Sequence, residues 1–164
     1  MTNVFRLIFV FIAATVFHWA FASLFAQWGI SVNMMIVFVT AFCTYLKARL
    51  AYSMAFLCGL FLDFFSTKLF GNSAFTFTIC ACLVCSVVDR FDLEEFFPQI
   101  VIVFCLTWLA GLVNTGLVAM FASSSIWPGF WSMMIGAIVN ALLAPIIFLF
   151  VRWIMGNSSM CRQG

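Results

Sequence analysis

The first helix-length segment of the chain, residues 4–26, reads VFRLIFVFIAATVFHWAFASLFA. Arg6 is its single charged residue, and about 20 apolar residues suffice for a helix to cross the hydrocarbon core of a membrane. A signal-peptide core has only about 7–15 apolar residues. Although Ala20-Phe21-Ala22 has the small-x-small pattern of a cleavage site, we therefore interpret the segment as a first transmembrane helix.

The composition of the whole chain extends this interpretation. Of 164 residues, 66% are hydrophobic and 7% are charged, with a mean hydropathy of +1.23. A soluble domain carries about a quarter of its residues as charged side chains, and disorder requires low hydrophobicity. Seven Lys and Arg against five Asp and Glu provide no basic surface for nucleic acid. The composition predicts an integral membrane protein.

Seven cysteines are present, and the odd number argues against a disulfide framework. The tightest group, Cys80-x-Cys82-x-x-Cys85, has two interpretations, a metal site or small apolar side chains packed in helices. We favour packing, since free cysteine behaves as a small hydrophobe. No metal or cofactor is expected.

Hydropathy predicts an all-α fold, a single domain over residues 1–164 in which six transmembrane helices are joined by short loops. The predicted spans are residues 4–26, 31–46, 50–66, 70–88, 97–122 and 128–154. The second and third spans form a hairpin, because one continuous span would bury Lys47 and Arg49 near the middle of the membrane. Pro145 lies inside the sixth span and is expected to kink it.

The positive residues predict that both termini are cytoplasmic. Six of the seven then lie inside, namely Arg6, Lys47, Arg49, Arg90, Arg152 and Arg162, and Lys68 lies outside. The loop between spans four and five, residues 89–97, mixes acids with large apolar side chains. It is either an interfacial connector, which we favour, or an acidic docking patch.

Small residues recur at four-residue spacing on several spans, as in Ala51, Ala55, Gly59 and Asp63, and predict the faces on which helices pack together. Phe, Leu and Ile are expected to face lipid. At about 1.5 Å per residue, four polar residues on four helices fall in one layer of the outer half of the membrane. This polar layer consists of His18, Asp63, Asn114 and Asn140.

Three interpretations of the polar layer remain open: a structural clasp, a ligand pocket open to the outside, and a proton relay. A relay is least favoured, since no further acids lie along the path. We expect Asp63 to be buried and bonded to His18, Asn140 or Lys68, because an intramembrane carboxylate normally has a partner. No set of side chains completes a catalytic site.

Residues 59–74 read GLFLDFFSTKLFGNSA, in which a glycine lies four residues before Asp63 and another eight residues after it. This segment is similar to the G-x-x-x-D hairpin of the MreD family of rod shape-determining membrane proteins. Asn140, Pro145 and Arg152 resemble its closing helix. The resemblance carries over Gly59, Asp63, Gly71, Asn140 and Pro145 as structural or interaction residues.

The resemblance implies a role rather than a reaction. An MreD-like protein is expected in the bacterial inner membrane, as a non-enzymatic scaffold of the elongation machinery that directs lateral peptidoglycan synthesis. The implied partners are MreC, MreB, RodA and an elongation-specific class B penicillin-binding protein. The family also resembles the substrate-binding S-components of transporters, so the alternative is a small-molecule-binding membrane subunit. A polar pocket of about 300 Å³ or more would favour that alternative.

Overall fold

The computed structural model describes residues 2–30, 32–66, 70–88, 95–121 and 129–155. These residues form six α-helices and no strand. The helices are α1 (Thr2–Ala26), α2 (Met35–Tyr45), α3 (Ala48–Phe65), α4 (Asn72–Val88), α5 (Phe96–Phe121) and α6 (Phe130–Met155). Four of them, α1, α3, α5 and α6, are long and apolar enough to cross a membrane. The chain is therefore a helical membrane protein, as its hydropathy predicts.

Helix α2 is shorter than the predicted span at residues 31–46. It begins at Met35 and has 11 residues, which is about 17 Å of helix against a hydrocarbon core of about 30 Å. Ten of its residues are buried, and it contacts each of the other five described helices. A helix that is apolar on all sides is suited to a position inside the protein. Helix α2 therefore forms the centre of the bundle.

Large aromatic side chains make up much of the core. Phe38, Phe42, Phe77 and Phe148 are among the largest fully buried side chains. The expectation that phenylalanine faces lipid is wrong for these four residues. The reason is that the protein interior and lipid tails are both apolar, so hydropathy alone does not distinguish an inward from an outward phenylalanine.

The small-residue face predicted on α3 is confirmed. Ala51, Ala55, Gly59 and Asp63 are all buried, and α3 packs most extensively on α4. Small side chains allow two helix backbones to approach closely, which is the main source of packing energy between helices in a membrane. This helix pair positions the candidate site.

Several predictions concern residues that lie outside the described ones. They include the orientation signals of Lys68, Arg90 and Arg162 and the acidic part of the connector, residues 89–94. The described positive residues Arg6, Lys47, Arg49 and Arg152 lie in or beside α1, α3 and α6.

Candidate functional site: a polar helix junction and its cavity

Asp63 binds the first turn of the neighbouring helix α4. Its Oδ1 accepts a hydrogen bond from the backbone N–H of Ser73 at 2.9 Å, and its Oδ2 accepts one from Ala74 at 3.0 Å. Both oxygens act as acceptors, which is the bonding pattern of an ionised carboxylate. The first N–H groups of a helix lack partners within it, and its N-terminus carries partial positive charge. Asp63 therefore caps α4 from a different helix.

Gly59 makes this junction sterically possible. A Cβ atom at Gly59 would lie 2.4 Å from the Cα atom and 2.6 Å from the nitrogen of Ala74. Those atoms belong to backbone and cannot rotate away as a flexible side chain could. The absence of a side chain at Gly59 lets α4 approach α3 closely. Asp63 follows one helical turn later on the same face of α3, so its carboxylate reaches the exposed N–H groups of α4. This arrangement gives the Gly59-x-x-x-Asp63 spacing a physical reason.

Gly71 serves the same junction for a different reason. No atom of the described residues lies within 4 Å of a Cβ built at Gly71, but its φ angle is +90°. L-residues with a side chain rarely adopt such a conformation, whereas glycine does so readily. Its carbonyl oxygen accepts the N–H of Phe75 at 3.0 Å, so the residue begins the first turn of α4. Gly71 thus sets the angle at which the chain enters α4.

Asp63 is buried, with 2% of its surface exposed, but its partners differ from those expected. Among the described residues its carboxylate bonds to backbone N–H groups of α4, rather than to the side chains of His18 or Asn140. The third expected partner, Lys68, lies outside the described residues. Sequence reasoning looked for a side-chain partner and overlooked that a helix N-terminus can fill that role.

Asn140 binds backbone rather than another member of the polar layer. Its Nδ2 donates to the backbone carbonyl of Asn33 at 3.1 Å and to Thr107 Oγ1 at 3.3 Å. Asn33 lies in the non-helical segment that precedes α2, where its carbonyl also accepts the backbone N–H of Ile36 at 3.3 Å. Non-helical backbone at membrane depth is tolerated where it is enclosed by protein that satisfies it. Asn140 supplies a second hydrogen bond to this carbonyl, from α6, and is completely buried.

A second contact shows how this segment enters the bundle. Ser132 Oγ donates to the carbonyl of Gly29 at 3.0 Å. Ser132 precedes Asn140 by eight residues on α6, which corresponds to about 12 Å along the helix axis. Gly29 and Asn33 therefore contact α6 at two depths, and α2 begins well inside the bundle.

The four residues of the predicted polar layer are divided between two levels. Asn114 Oδ1 accepts a hydrogen bond from Asn72 Nδ2 at the start of α4, close to the carboxylate of Asp63. Asn140 instead contacts Thr107, which is about 10 Å from Asn114 along α5. Within the described part of the chain, no hydrogen bond joins His18, Asp63, Asn114 and Asn140 to one another. The four residues act in separate contacts.

A cavity of about 460 Å³ lies beside the junction. It is bounded by α1, by the start of α2 and the segment before it, by the end of α3, by the start of α4, by α5 and by Met133 of α6. Both His18 and Asn114 line it. Asp63 and Asn140 are not among its lining residues. His18 Nδ1 and Asn33 Oδ1 are buried and have no hydrogen-bond partner among the described residues. The polar layer therefore includes an open volume as well as a packed junction.

The remaining predicted site residue, Pro145, lies within α6, which is continuous from Phe130 to Met155. Proline has no N–H, so the carbonyl of Ala141 loses its usual helical partner. The described residues contain no group of three or more His, Cys, Asp or Glu side chains able to hold a metal ion. The described part of the site thus offers neutral polar groups and one carboxylate that is already bonded.

Sequence reasoning missed two asparagines that take part in these contacts. Asn33 and Asn72 are each the third residue of a predicted apolar span, 31–46 and 70–88, where a polar residue resembles part of a loop. The signal available was that buried amides in a membrane normally have partners on other helices. The same reasoning that singled out Asn114 and Asn140 would have included them.

The family described as rod shape-determining protein MreD matches residues 1–154 of the chain. No curated protein and no solved structure shows a significant match. The family match covers α1 to α5 and all but the last residue of α6, and it includes the glycine–aspartate junction and the α6 asparagine. With its helical membrane fold, the chain therefore belongs to the MreD family of rod shape-determining proteins.

Proposed function

We propose that this chain is a non-enzymatic scaffold that organises lateral peptidoglycan synthesis in the cell-elongation machinery. The observation that carries the proposal is the family match over residues 1–154, since membership implies a role in rod-shape determination. The family is one of shape-determining membrane proteins rather than a known enzyme family. A scaffold acts by holding partners together, so the surfaces available for contact decide how it works.

The surfaces available for contact are mainly the helices themselves. Connections between successive described helices are at most eight residues long, which leaves little room for an extramembrane binding module. Several helices present large apolar side chains outward, for example Ile135, Leu142 and Leu149 on α6. A partner helix can pack on such a face by van der Waals contact within the bilayer.

The proposed partners are MreC, MreB, RodA and an elongation-specific class B penicillin-binding protein. We propose that a transmembrane helix of MreC, together with its adjacent segment, packs on the outer surface of the bundle, and that the synthases assemble around this pair. The link to MreB would be made at the cytoplasmic end of the helices.

The proposed location is the bacterial inner membrane, with the chain as one transmembrane domain that crosses six times and has both termini in the cytoplasm. The excess of Lys and Arg in the cytoplasmic connections and ends supports this orientation. Helix α2 is too short to cross an unperturbed bilayer alone. Because it is enclosed by the other described helices, it can complete its crossing with non-helical backbone that faces protein.

Gly59, Asp63, Gly71, Asn140 and Pro145 are proposed to act structurally, by fixing the shape that partners recognise. The first three hold α3 and α4 in close contact, and Asn140 holds the segment before α2. A surface made of helix faces is defined only if the helices keep fixed relative positions. Loss of these contacts should therefore weaken partner binding without removing any partner-contacting side chain.

Affinity purification from native membranes tests the scaffold proposal. A photo-crosslinking phenylalanine analogue replaces one outward phenylalanine on each long helix, namely Phe9, Phe56, Phe97 or Phe130, and the buried Phe38 serves as control. We expect mass spectrometry to recover a bitopic coiled-coil protein and cell-wall synthases. Crosslinks to them should form from at least one outward position and not from Phe38.

The second candidate function is a small-molecule-binding subunit of a transporter, and the cavity of about 460 Å³ favours it because its volume exceeds about 300 Å³. The same purification distinguishes the two proposals. Recovery of ATPase subunits without cell-wall synthases would overturn the scaffold proposal and support the transporter.

A further inference from the structure

The cavity contains buried polar atoms that lack partners. His18 Nδ1 and Asn33 Oδ1 are both inaccessible and without a hydrogen bond in the described part of the chain, and both residues line the cavity. Buried polar atoms in native proteins nearly always have a partner, since leaving one unpaired is unfavourable. Two such atoms border one cavity, so a molecule that occupies the cavity can complete their hydrogen bonds.

The polar lining of the cavity is almost entirely uncharged. Hydroxyl and amide side chains line it, including Asn33, Thr76, Asn114 and Thr115, and His18 is the one ionisable group among the described lining residues. Binding of phosphate or carboxylate groups usually involves Arg or Lys, and neither occurs among the described residues that line this cavity. Hydroxyl and amide groups can both donate and accept hydrogen bonds. This lining suits a neutral group that carries hydroxyls.

An apolar groove of about 420 Å³ follows the seam between α1 and α3. Its lining includes Leu7, Phe11, Leu57 and Phe61, and all of its lining side chains are apolar. Phe11 and Phe61 meet edge to face across the seam, with ring centroids 5.7 Å apart. Helix α1 packs mainly on α6 and α2. Its contact with α3 includes aromatic pairs of this kind.

The groove leads to the cavity along α3. Phe61 lines the groove and Phe65 lines the cavity, and their ring centroids are 5.0 Å apart. Trp19 packs on Phe65 from α1 at 5.4 Å. The polar cavity and the apolar groove are therefore neighbouring parts of the same α1–α3 seam, separated by a few aromatic rings. Their order places a polar end and an apolar tail along the membrane normal, as in a lipid.

We propose that the cavity and the groove together bind one membrane lipid with an uncharged, hydroxyl-bearing headgroup. The headgroup occupies the cavity, where it bonds to Asn33 and His18, and an acyl chain lies in the groove beside Phe61. The headgroup thus lies at the end of the bundle where α3 ends and α4 begins. This inference goes beyond the scaffold proposal and does not depend on it.

Native mass spectrometry of the purified full chain tests the lipid site. The protein is incubated with equal amounts of a monoglucosyl diacylglycerol and a phosphatidylglycerol with identical acyl chains. We expect one molecule of the neutral glycolipid to be retained about tenfold more than the anionic lipid, because several hydrogen bonds favour the sugar. Equal retention of both lipids, or no retained lipid and a cavity filled by water, would overturn the proposal.

Matched variants locate the retained lipid. Ala22 lines the cavity, whereas Ala20 is exposed on the same helix. Ala22→Phe should abolish the preference for the glycolipid, and Ala20→Phe should leave it unchanged. Thr115→Val keeps the side-chain size but removes a lining hydroxyl, and should reduce the preference about fivefold. An unchanged preference in both cavity variants would place the lipid elsewhere and refute the site.

In the groove, Leu57→Trp should weaken retention of both lipids, since it fills space that the acyl chain needs. Phe56→Trp is the control, because Phe56 is exposed on α3 and does not line the groove. Equal effects of the two substitutions would contradict a role of the groove. Thermal denaturation of each variant in detergent identifies any that fail to fold. If a bulky variant fails to fold, the size-matched Thr115→Val still tests the site.

Discussion

Substitutions of Asp63 test whether the junction between α3 and α4 depends on a carboxylate that caps a neighbouring helix. The two oxygens of Asp63 accept backbone N–H groups of Ser73 and Ala74 at 2.9 and 3.0 Å. Hydrogen bonds to a charged group each contribute about 1.5–3 kcal/mol, and loss of a helix cap typically removes about 1 kcal/mol. Asp63 and Ala74 are both 2% exposed, so water has little access to the N–H of Ala74 when the acceptor is missing.

Asp63→Ala removes both acceptors and leaves the two N–H groups of α4 without partners. We expect the free energy of unfolding to fall by about 3 kcal/mol. Asp63→Asn retains one acceptor oxygen but points an N–H₂ donor at the second N–H group. A loss of about half that size, roughly 1.5 kcal/mol, follows for Asn.

Thermal denaturation in detergent, followed by fluorescence-detected size exclusion, measures the difference. For a chain of this size, a loss of about 1 kcal/mol in the free energy of unfolding lowers Tm by about 3 °C. Asp63→Ala should therefore lower Tm by roughly 9 °C and Asp63→Asn by roughly 4 °C. Ser53→Ala is the control, because Ser53 is exposed on α3 and bonds only to the carbonyl of Arg49 one turn earlier. Its Tm should change by less than about 2 °C.

Rod-shape complementation in cells provides the functional readout. If Asp63 acts structurally, Asp63→Asn should retain partial complementation and Asp63→Ala should retain less. Equal and complete loss of complementation in both variants, with Asn as stable as the unmodified chain, would refute the capping argument and indicate a role for the charge itself. Gly59→Ala combined with Asp63→Ala should be less destabilising than the sum of the two, since both disturb one contact.

Substitutions at three positions follow from the same geometry. Gly59→Ala should lower the free energy of unfolding by about 2 kcal/mol or more, because its Cβ would overlap the α4 backbone. Gly116→Ala is the control, because no atom of the described residues lies within 4 Å of its Cβ. In a thermal melt it should be neutral or slightly stabilising. Gly71→Ala should cost about 1–2 kcal/mol through its φ angle of +90° alone, and an unchanged Tm would contradict that conformation. Asn140→Ala should destabilise by about 1–3 kcal/mol, since two hydrogen bonds of its amide are lost, one to the carbonyl of Asn33 and one to Thr107 Oγ1. Asn140→Asp should be more destabilising than Ala in the same melt, because it faces that carbonyl with a second acceptor; the reverse order would rule out the bond.

Much of the fold is determined by the sequence alone. The length of each apolar run is a local property, and the described helices α3 to α6 begin and end within about two residues of the predicted spans. The small-residue face of α3 was also predictable, because four-residue spacing places Ala51, Ala55 and Gly59 on one side of a helix. The family resemblance rested on the same short motifs and was confirmed over residues 1–154.

The position of α2 was decided by tertiary structure. Its sequence is as apolar as a lipid-facing span. Lipid tails and a protein interior are both apolar, so hydropathy does not show which of them surrounds a helix. Only the arrangement of five surrounding helices buries α2 and allows it to begin at Met35. The same ambiguity explains why phenylalanines such as Phe38 and Phe42 are in the core.

The partners of the polar residues were likewise decided by tertiary structure. The sequence identified Asp63 and Asn140 as residues that need partners, since a buried carboxylate or amide cannot remain unpaired in a membrane. Which groups fill that need depends on how helices meet in space. The close approach at Gly59 brings the N–H groups of α4 to Asp63, and the descent of the chain beside α6 brings the carbonyl of Asn33 to Asn140. Backbone groups carry no sequence signature, so only the packed bundle could identify them as the partners.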